Sequence, residues 1–178
     1  MKDFVADAYM SMLEMTNIYK DDDISATDMH NDMSQMISKI HHLSHAIGKN
    51  HYAVRLSNGN MYFYHKDADK IHSASLFIPD NFALPNAYSH VLASKGDAKD
   101  ASGIYKNIQF MLDNGKTVTS DTDQTRGGRN LWRNIHKHVK FNKVSLHDID
   151  TGKHVKDVEN FEELSKTESD PYIYTIKK

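Results

Sequence analysis

Two places in the sequence combine glycine with small polar residues at the start of a predicted helix. They span residues 94–104 and 120–131, and each follows a predicted strand. Backbone N–H groups in the first turn of a helix have no partner within the helix and carry partial positive charge. Glycine lets a ligand approach that backbone closely because it has no side chain. Each junction can therefore bind a phosphate or a carboxylate, although mixed α/β domains also use glycine in such turns for structural reasons alone.

The second junction has the more specific pattern. It reads Ser120-Asp121-Thr122-Asp123-Gln124-Thr125-Arg126-Gly127-Gly128-Arg129-Asn130-Leu131-Trp132. A predicted strand ends in Ser-Asp, a Gln follows three residues later, and after a Gly-Gly pair the helix opens with Leu-Trp. This pattern resembles one found in acyltransferase-like proteins of tailed bacteriophages, which belong to or are similar to the GNAT superfamily of acetyl-CoA-dependent N-acetyltransferases. The resemblance extends over residues 51–148, with its motif at 116–135, and implies a substrate-side loop containing Ser120, Asp121, Gln124, Gly127 and Gly128.

The resemblance implies that acetyl-CoA binds at the first junction. In that superfamily the pyrophosphate of the cofactor lies on the loop between the fourth strand and the third helix. The equivalent cofactor-binding residues in this chain are Lys99, Ala101, Ser102, Gly103 and Ile104. Gly103 falls where the family has a glycine, Ala101 stands where another is usual, and Asp100 occupies the place of a basic residue. Lys95, Lys99 and Lys106 can offset the charge of that carboxylate.

Catalysis in the superfamily requires a base, because only a neutral amine attacks the thioester. A tyrosine on the later helix often protonates the departing thiolate. The predicted fourth strand has no glutamate, and the helix from Leu131 to His138 has no tyrosine. His90 is the candidate catalytic base on that strand, since imidazole titrates near neutral pH. A structural histidine is the alternative. Trp132 is predicted to pack in the core beneath the loop.

These departures leave a second hypothesis open. The chain can be a catalytically inactive GNAT-like fold that serves as a viral structural or host-interaction protein. Its binding surfaces would be a methionine-rich N-terminal helix and a basic helix containing Arg126, Arg129 and Arg133. The same arginines would also suit nucleic-acid phosphates, which is a third and weaker hypothesis, because no aromatic interleaving or nucleic-acid motif accompanies them.

Histidine is frequent in this chain, which has twelve of them. His41 and His45 are four residues apart on a predicted helix and would share one face, yet zinc requires three or four converging ligands. We therefore expect no metal site.

The first fifty residues predict two helices. Val5, Tyr9, Met12, Leu13 and Thr16 share one helical face. A second apolar stripe runs from Met29 to Ile47, and Gly48 is its predicted stop. The stripe can be core or a binding surface, since methionine suits both.

From His51 onward, apolar residues recur at every second position, which is typical of strands. Strands are predicted at 52–56 and 61–64 around the turn Ser57-Asn58-Gly59-Asn60, and then at 71–78 and 87–94. A helix from Ile104 ends at Asn114-Gly115, and a strand at 116–121 leads to the helix that contains Trp132. Further strands are predicted at 143–148 and 172–176, and the charged stretch 157–170 is predicted as a surface helix or loop. The predicted fold is mixed α/β, a GNAT-like, mostly antiparallel sheet flanked by helices. Residues 1–50 would form the helical pair and 51–178 the α/β domain.

Composition excludes several function classes. The chain has 178 residues, no cysteine and a formal net charge of −2, so disulfide frameworks, thiolate metal sites and cysteine nucleophiles are excluded. No apolar run reaches a membrane-spanning length, and we expect no membrane partner. The expected protein is soluble and cytoplasmic, in the host cytoplasm or the virion if phage-encoded. It would move an acetyl group from acetyl-CoA to a small-molecule or protein amine, or bind a virion or host protein.

Overall fold

A computed structural model of the chain describes residues 26–80, 84, 86–95, 102–120, 126–159 and 172–178. These residues form three α-helices and nine strands. In chain order they are α1 (Ala26–Ile40), β1 (His45–Gly48), β2 (His51–Arg55), β3 (Met61–Asp67), β4 (Lys70–Pro79), β5 (Ala87–Lys95), α2 (Ser102–Asp113), β6 (Thr117–Ser120), α3 (Arg126–His138), β7 (Lys143–Asp148), β8 (His154–Asp157) and β9 (Tyr172–Lys177). No described helix is long and apolar enough to cross a membrane.

All nine strands belong to one sheet, in the order β1-β2-β3-β4-β5-β6-β9-β7-β8. Only the neighbours β5 and β6 run parallel among these described strands, and α2 connects them. Every other neighbouring pair is antiparallel. The predicted mixed α/β class with a mostly antiparallel sheet is therefore confirmed for the described part of the chain.

Helix α1 covers one face of the sheet. Its apolar stripe is buried against β2, β3 and β4, with Met33 fully buried and Met36 5% exposed. The methionine stripe of α1 is therefore core rather than a free binding surface. Of the predicted N-terminal pair, the first helix lies outside the described residues, which contain a single helix before the sheet. Helix α1 and strand β1 both lie within the predicted N-terminal region. Helix α1 packs on the sheet formed by the remaining chain, and β1 is paired with β2 in that sheet.

The end of α1 corrects the sequence prediction. The helix stops at Ile40, a single 3-10 turn follows, and Ser44 is extended with φ −80° and ψ 156°. The backbone N–H and the hydroxyl of Ser44 both donate to the carbonyl oxygen of His41, at 3.0 and 2.6 Å. Serine competes for helical carbonyls in this way, which favours a helix end. The predicted helical continuation to Ile47 and its stop at Gly48 are wrong, because residues 45–48 pair with β2.

The predicted β2–β3 hairpin is confirmed, with Gly59 at φ +90° in its turn. The structure also has a strand at the places predicted for β4, β5, β6, β7 and β9, and a helix at those predicted for α2 and α3. No sequence pattern predicts β8, whose four residues are all exposed. An edge strand that buries no side chain shows no alternation of apolar and polar residues.

Helices α2 and α3 cover the opposite face of the sheet. Ile108 of α2 and Trp132 and Ile135 of α3 are buried there, against sheet residues that include Phe77 and Val118. Trp132 is only 2% exposed, so the predicted core role of this side chain is confirmed.

Candidate functional site

The carboxyl ends of β5 and β6 form the candidate site. The two strands pair in parallel from Ala87 and Thr117 up to His90 and Ser120. Strand β6 then ends, whereas β5 continues to Lys95. Both strands lead to a helix, so the starts of α2 and α3 follow the same edge of the sheet. Ligands of α/β proteins commonly bind at the carboxyl ends of parallel strands.

A β-bulge in β5 lies directly beyond the last paired residue. Phe77 of β4 is opposite His90, whereas Leu76 is opposite Leu92, so Val91 has no counterpart in β4. The bulge interrupts the regular alternation of side chains along β5 at this position. Bulges twist and bend a strand locally and occur often beside active sites. The bulge therefore coincides with the place where β5 stops pairing with β6.

His90 is buried on the face of the sheet that α2 and α3 cover. It is 7% exposed, and its ring centroid lies 4.9 Å from that of Phe77. No hydrogen-bond partner of its Nε2 atom exists among the described residues. Burial lowers the pKa of His90 to about 4, because a charged imidazolium loses its hydration there. A group with this pKa accepts a proton poorly from an ammonium ion, which argues against the predicted role as base.

Ser120 lies beside His90 in the next strand and is 1% exposed. Its hydroxyl oxygen accepts a hydrogen bond of 3.0 Å from the backbone N–H of Tyr174 in β9. The Tyr174 ring in turn lies 6.4 Å from the Trp132 ring, centroid to centroid. Two of the predicted site residues, His90 and Ser120, are therefore direct neighbours on adjacent strands.

Helix α2 begins farther along β5. Gly103 packs on Ser73 of β4, and Ser73 is opposite Lys95 at the end of β5. Lys95 lies five residues beyond His90, which corresponds to roughly 16 Å at about 3.3 Å per residue. The first turn of α2 contains no acidic residue that would oppose an anion. The start of α2 and the buried side chain of His90 are therefore roughly 16 Å apart.

A buried polar network fixes α2 on the sheet. His51 Nε2 donates to Oδ1 of Asn107 at 2.7 Å, and Nδ2 of Asn107 donates to Ser75 Oγ at 2.9 Å. The ring of His51 also stacks on that of His65, with centroids 4.1 Å apart. Nothing in the residue spacing predicts this network. The sequence feature that could have indicated it is Asn107, whose polar amide lies on the apolar face of a predicted amphipathic helix.

No protein-family model, curated protein or solved structure matches this chain significantly.

The other predicted site residues are distributed as follows. Ser102 is exposed at the first position of α2, and Ile104 is buried in the core. Gly127 and Gly128 lie in the first turn of α3. Lys99, Ala101, Asp121 and Gln124 lie outside the described residues.

The predicted histidine pair is not formed, because His41 follows the end of α1 and His45 belongs to β1. His41 instead bonds through Nδ1 to the Tyr64 hydroxyl at 2.5 Å. Within the described ranges no three or more histidine, aspartate or glutamate side chains are grouped to hold a metal ion. A surface groove of about 590 Å³ lies elsewhere, at Phe141, Lys143, Asp157 and Lys177 among others, and includes none of the described site residues.

The position of Gly103 provides a test of how closely α2 approaches the sheet. A Cβ atom at Gly103 would lie 2.9 Å from Cδ2 of His65 and 3.2 Å from Cβ of Ser73, and closer still to Ser73 Oγ. We expect Gly103→Ala to lower the free energy of unfolding by about 1–2 kcal/mol, because overpacking outweighs the better helix propensity of alanine. Urea denaturation followed by circular dichroism measures this loss.

Gly48→Ala is the matched control. The added Cβ would meet only Cβ of His51 at 3.6 Å, which is ordinary van der Waals contact. We expect this variant to stay within about 0.5 kcal/mol of the parent. A Gly103→Ala variant as stable as Gly48→Ala would contradict the close approach of α2 to β4.

Proposed function

We propose that the protein is a GNAT-like acyltransferase that moves an acetyl group from acetyl-CoA to an amine. One observation carries the proposal: the start of α2 packs on Ser73 of β4, opposite Lys95 at the end of β5, and the buried His90 lies roughly 16 Å back along β5, where β5 and β6 stop pairing. Acetyl-CoA is an extended molecule with an anionic diphosphate toward one end and an uncharged thioester at the other. The resemblance of residues 116–135 to phage acyltransferase-like proteins supports the same assignment.

In this proposal the diphosphate binds to the backbone amides at the start of α2, where the helix dipole favours an anion. The cofactor-binding residues are Lys99, Ala101, Ser102, Gly103 and Ile104. The pantetheine arm runs along β5 toward His90 and Ser120. This orientation brings the thioester to the carboxyl end of β6.

The amine substrate approaches from the loop between β6 and α3. Asp121 and Gln124 of that loop, with Gly127 and Gly128 at the start of α3, shape the substrate side. The amine nitrogen would form a bond to the thioester carbonyl carbon as the carbon–sulfur bond breaks, and the amine proton would pass to the CoA sulfur, so that CoA leaves as the thiol. Holding the two reactants in this geometry is the main contribution of the fold to the rate.

Acetyl-CoA binding is the decisive measurement. A ligand that binds only the folded state, at a hundredfold excess over its Kd, stabilises it by about 2.7 kcal/mol. For a chain of this size we therefore expect the melting temperature to rise by about 5–10 °C. Inorganic diphosphate is the control and should give a smaller shift, because it occupies only the anionic end. No shift with millimolar acetyl-CoA would refute the acyltransferase proposal.

The inactive, interaction-type function is the second candidate. Two observations favour it: the packing of Gly103 against β4 accounts for that glycine without a ligand, and buried His90 is a weak base. Its binding surface would be α3, where Arg133, Lys137 and His138 are exposed, rather than the buried methionines of α1. The chain would then bind a virion or host protein and show no acetyl-CoA shift. Retention on DNA that falls steeply with salt would instead favour the weaker nucleic-acid hypothesis.

A further inference from the structure

His90 differs from His30 and His51, which are also buried. His30 Nε2 is bonded to the carbonyl oxygen of Ile71 at 3.1 Å, and His51 Nε2 to Asn107 at 2.7 Å. His90 Nε2 is removed from solvent and has no hydrogen-bond partner among the residues that the structure describes. Buried polar atoms in native proteins nearly always have a partner, so an exception requires a specific reason.

The neighbours of His90 do not supply that partner. Phe77, on the β4 side, offers an apolar ring. Ser120, on the β6 side, is directly opposite His90. Its hydroxyl oxygen accepts a hydrogen bond from the backbone N–H of Tyr174. The ring of His90 thus lies at the last paired position of the parallel strands, directly before the bulge. His90 and Ser120 are together the last paired residues of the two strands.

We propose that His90 is a ligand-binding residue whose Nε2 forms a hydrogen bond with an uncharged polar group of the bound ligand. A neutral imidazole carries one N–H and one lone pair, so it can bind a carbonyl oxygen, an amide or a hydroxyl group. A charged ligand group beside it would lose its hydration among apolar side chains without a counter-charge. The ligand therefore presents an uncharged hydrogen-bonding group to His90, such as the carbonyl group of an acyl thioester or an amide. Its identity as acetyl-CoA rests on the proposed function, whereas the hydrogen bond does not.

Two variants separate this role from that of a structural histidine. His90→Leu removes the unpaired polar atom and keeps an apolar side chain, so without ligand we expect a melting temperature equal to or above that of the parent. His51→Leu is the control and should melt below the parent, because it breaks the bond to Asn107. A His90→Leu variant that loses as much as His51→Leu would show that His90 is structural and would overturn the proposal.

Ligand binding supplies the second readout. We expect His90→Leu to weaken acetyl-CoA binding about tenfold or more, and His90→Gln, which keeps a hydrogen-bonding group, to stay within about threefold of the parent. The pH profile of kcat/KM should keep its shape in His90→Gln, whereas loss of a catalytic base would remove one of its limbs. Equal affinity of the parent and His90→Leu would overturn the proposal.

A third measurement distinguishes failure of this inference from failure of the proposed function. Acetamide, an uncharged amide, is titrated into the ¹⁵N-histidine-labelled protein, with inorganic diphosphate as the control. We expect acetamide and not diphosphate to shift the His90 Nε2 resonance. If acetyl-CoA does not bind but acetamide produces the shift, the acyltransferase proposal fails and the ligand-binding role of His90 remains. If neither acetamide nor acetyl-CoA shifts the resonance, the inference is refuted.

Discussion

Replacing Trp132 by alanine should lower the free energy of unfolding by about 3–5 kcal/mol. Trp132 is 2% exposed and joins α3 to the sheet in the core that also contains Tyr174. Its removal leaves a cavity that the surrounding strands cannot fill by small shifts, since protein interiors are closely packed. Urea denaturation followed by far-ultraviolet circular dichroism measures the loss, because the chain has one tryptophan and the variant therefore has no tryptophan fluorescence.

Leu131→Ala is the control for this prediction. Leu131 precedes Trp132 on α3 and is only partly buried against the same core. We expect it to cost clearly less, about 1 kcal/mol, because most of the cost of truncation comes from area that was removed from solvent. Equal losses for the two variants, or a loss below 1 kcal/mol for Trp132→Ala, would contradict the packing of α3 on the sheet.

Lowering the pH from 7 to 4 should destabilise the protein through its buried histidines. The pKa of His90 is lowered from 6.5 to about 4 by burial. Between these values the unfolded chain binds a proton that the folded chain does not, so stability falls as the pH falls. The stabilisation is complete above pH 6.5 and is lost toward pH 4. At about 1.4 kcal/mol per pH unit, His90 alone should account for about 3 kcal/mol at pH 4.

Three other histidines act in the same direction. Burial also lowers the pKa of His30, His41 and His51. Exposed carboxyl groups act in a different pH range: Asp157, whose pKa is held low mainly by a hydrogen bond from Lys143, loses its contribution only as the pH falls below its ordinary value of 3.8. The loss of stability caused by the histidines can therefore be measured between pH 6.5 and 4, apart from the loss caused by exposed carboxyl groups.

Urea denaturation at pH 7, 6, 5 and 4 tests this prediction. The His90→Leu variant should lose less stability than the parent over this range, because it lacks the group that titrates. A parallel decline of the parent and the variant would show that His90 is not the buried, neutral imidazole described above.

Sequence patterns located most of the elements that bury apolar side chains. The alternation in residues 52–64 and the stripe from Met29 to Ile40 each correspond to an element with one buried face. Residues 45–48 were predicted as helix because Ile47 continues the apolar spacing, whereas pairing with β2 decides their conformation. The exposed strand β8 carries no pattern because no side chain of it is buried.

The same distinction between local pattern and tertiary contact applies to the candidate site. Residue types and spacing indicated His90, Ser120 and the glycine-containing helix starts as chemically interesting positions. They did not indicate that His90 and Ser120 would be neighbours, since thirty residues separate them and only the parallel pairing of β5 and β6 brings them together. Nor did they indicate the pKa of His90, because burial that depends on Phe77 and on helices from elsewhere in the chain has no local signature.

The sequence by itself determined where helices and strands with a buried face occur, because the spacing of apolar residues within an element follows the geometry of that element. Only the tertiary structure decided the edge strands β1 and β8, the end of α1 and the close packing of Gly103 on β4. It also decided the environment of His90. The end of α1 and the edge strands depend on hydrogen bonds with neighbouring segments. The packing of Gly103 and of His90 depends on residues of other strands, and the apolar spacing within one element encodes neither kind of contact.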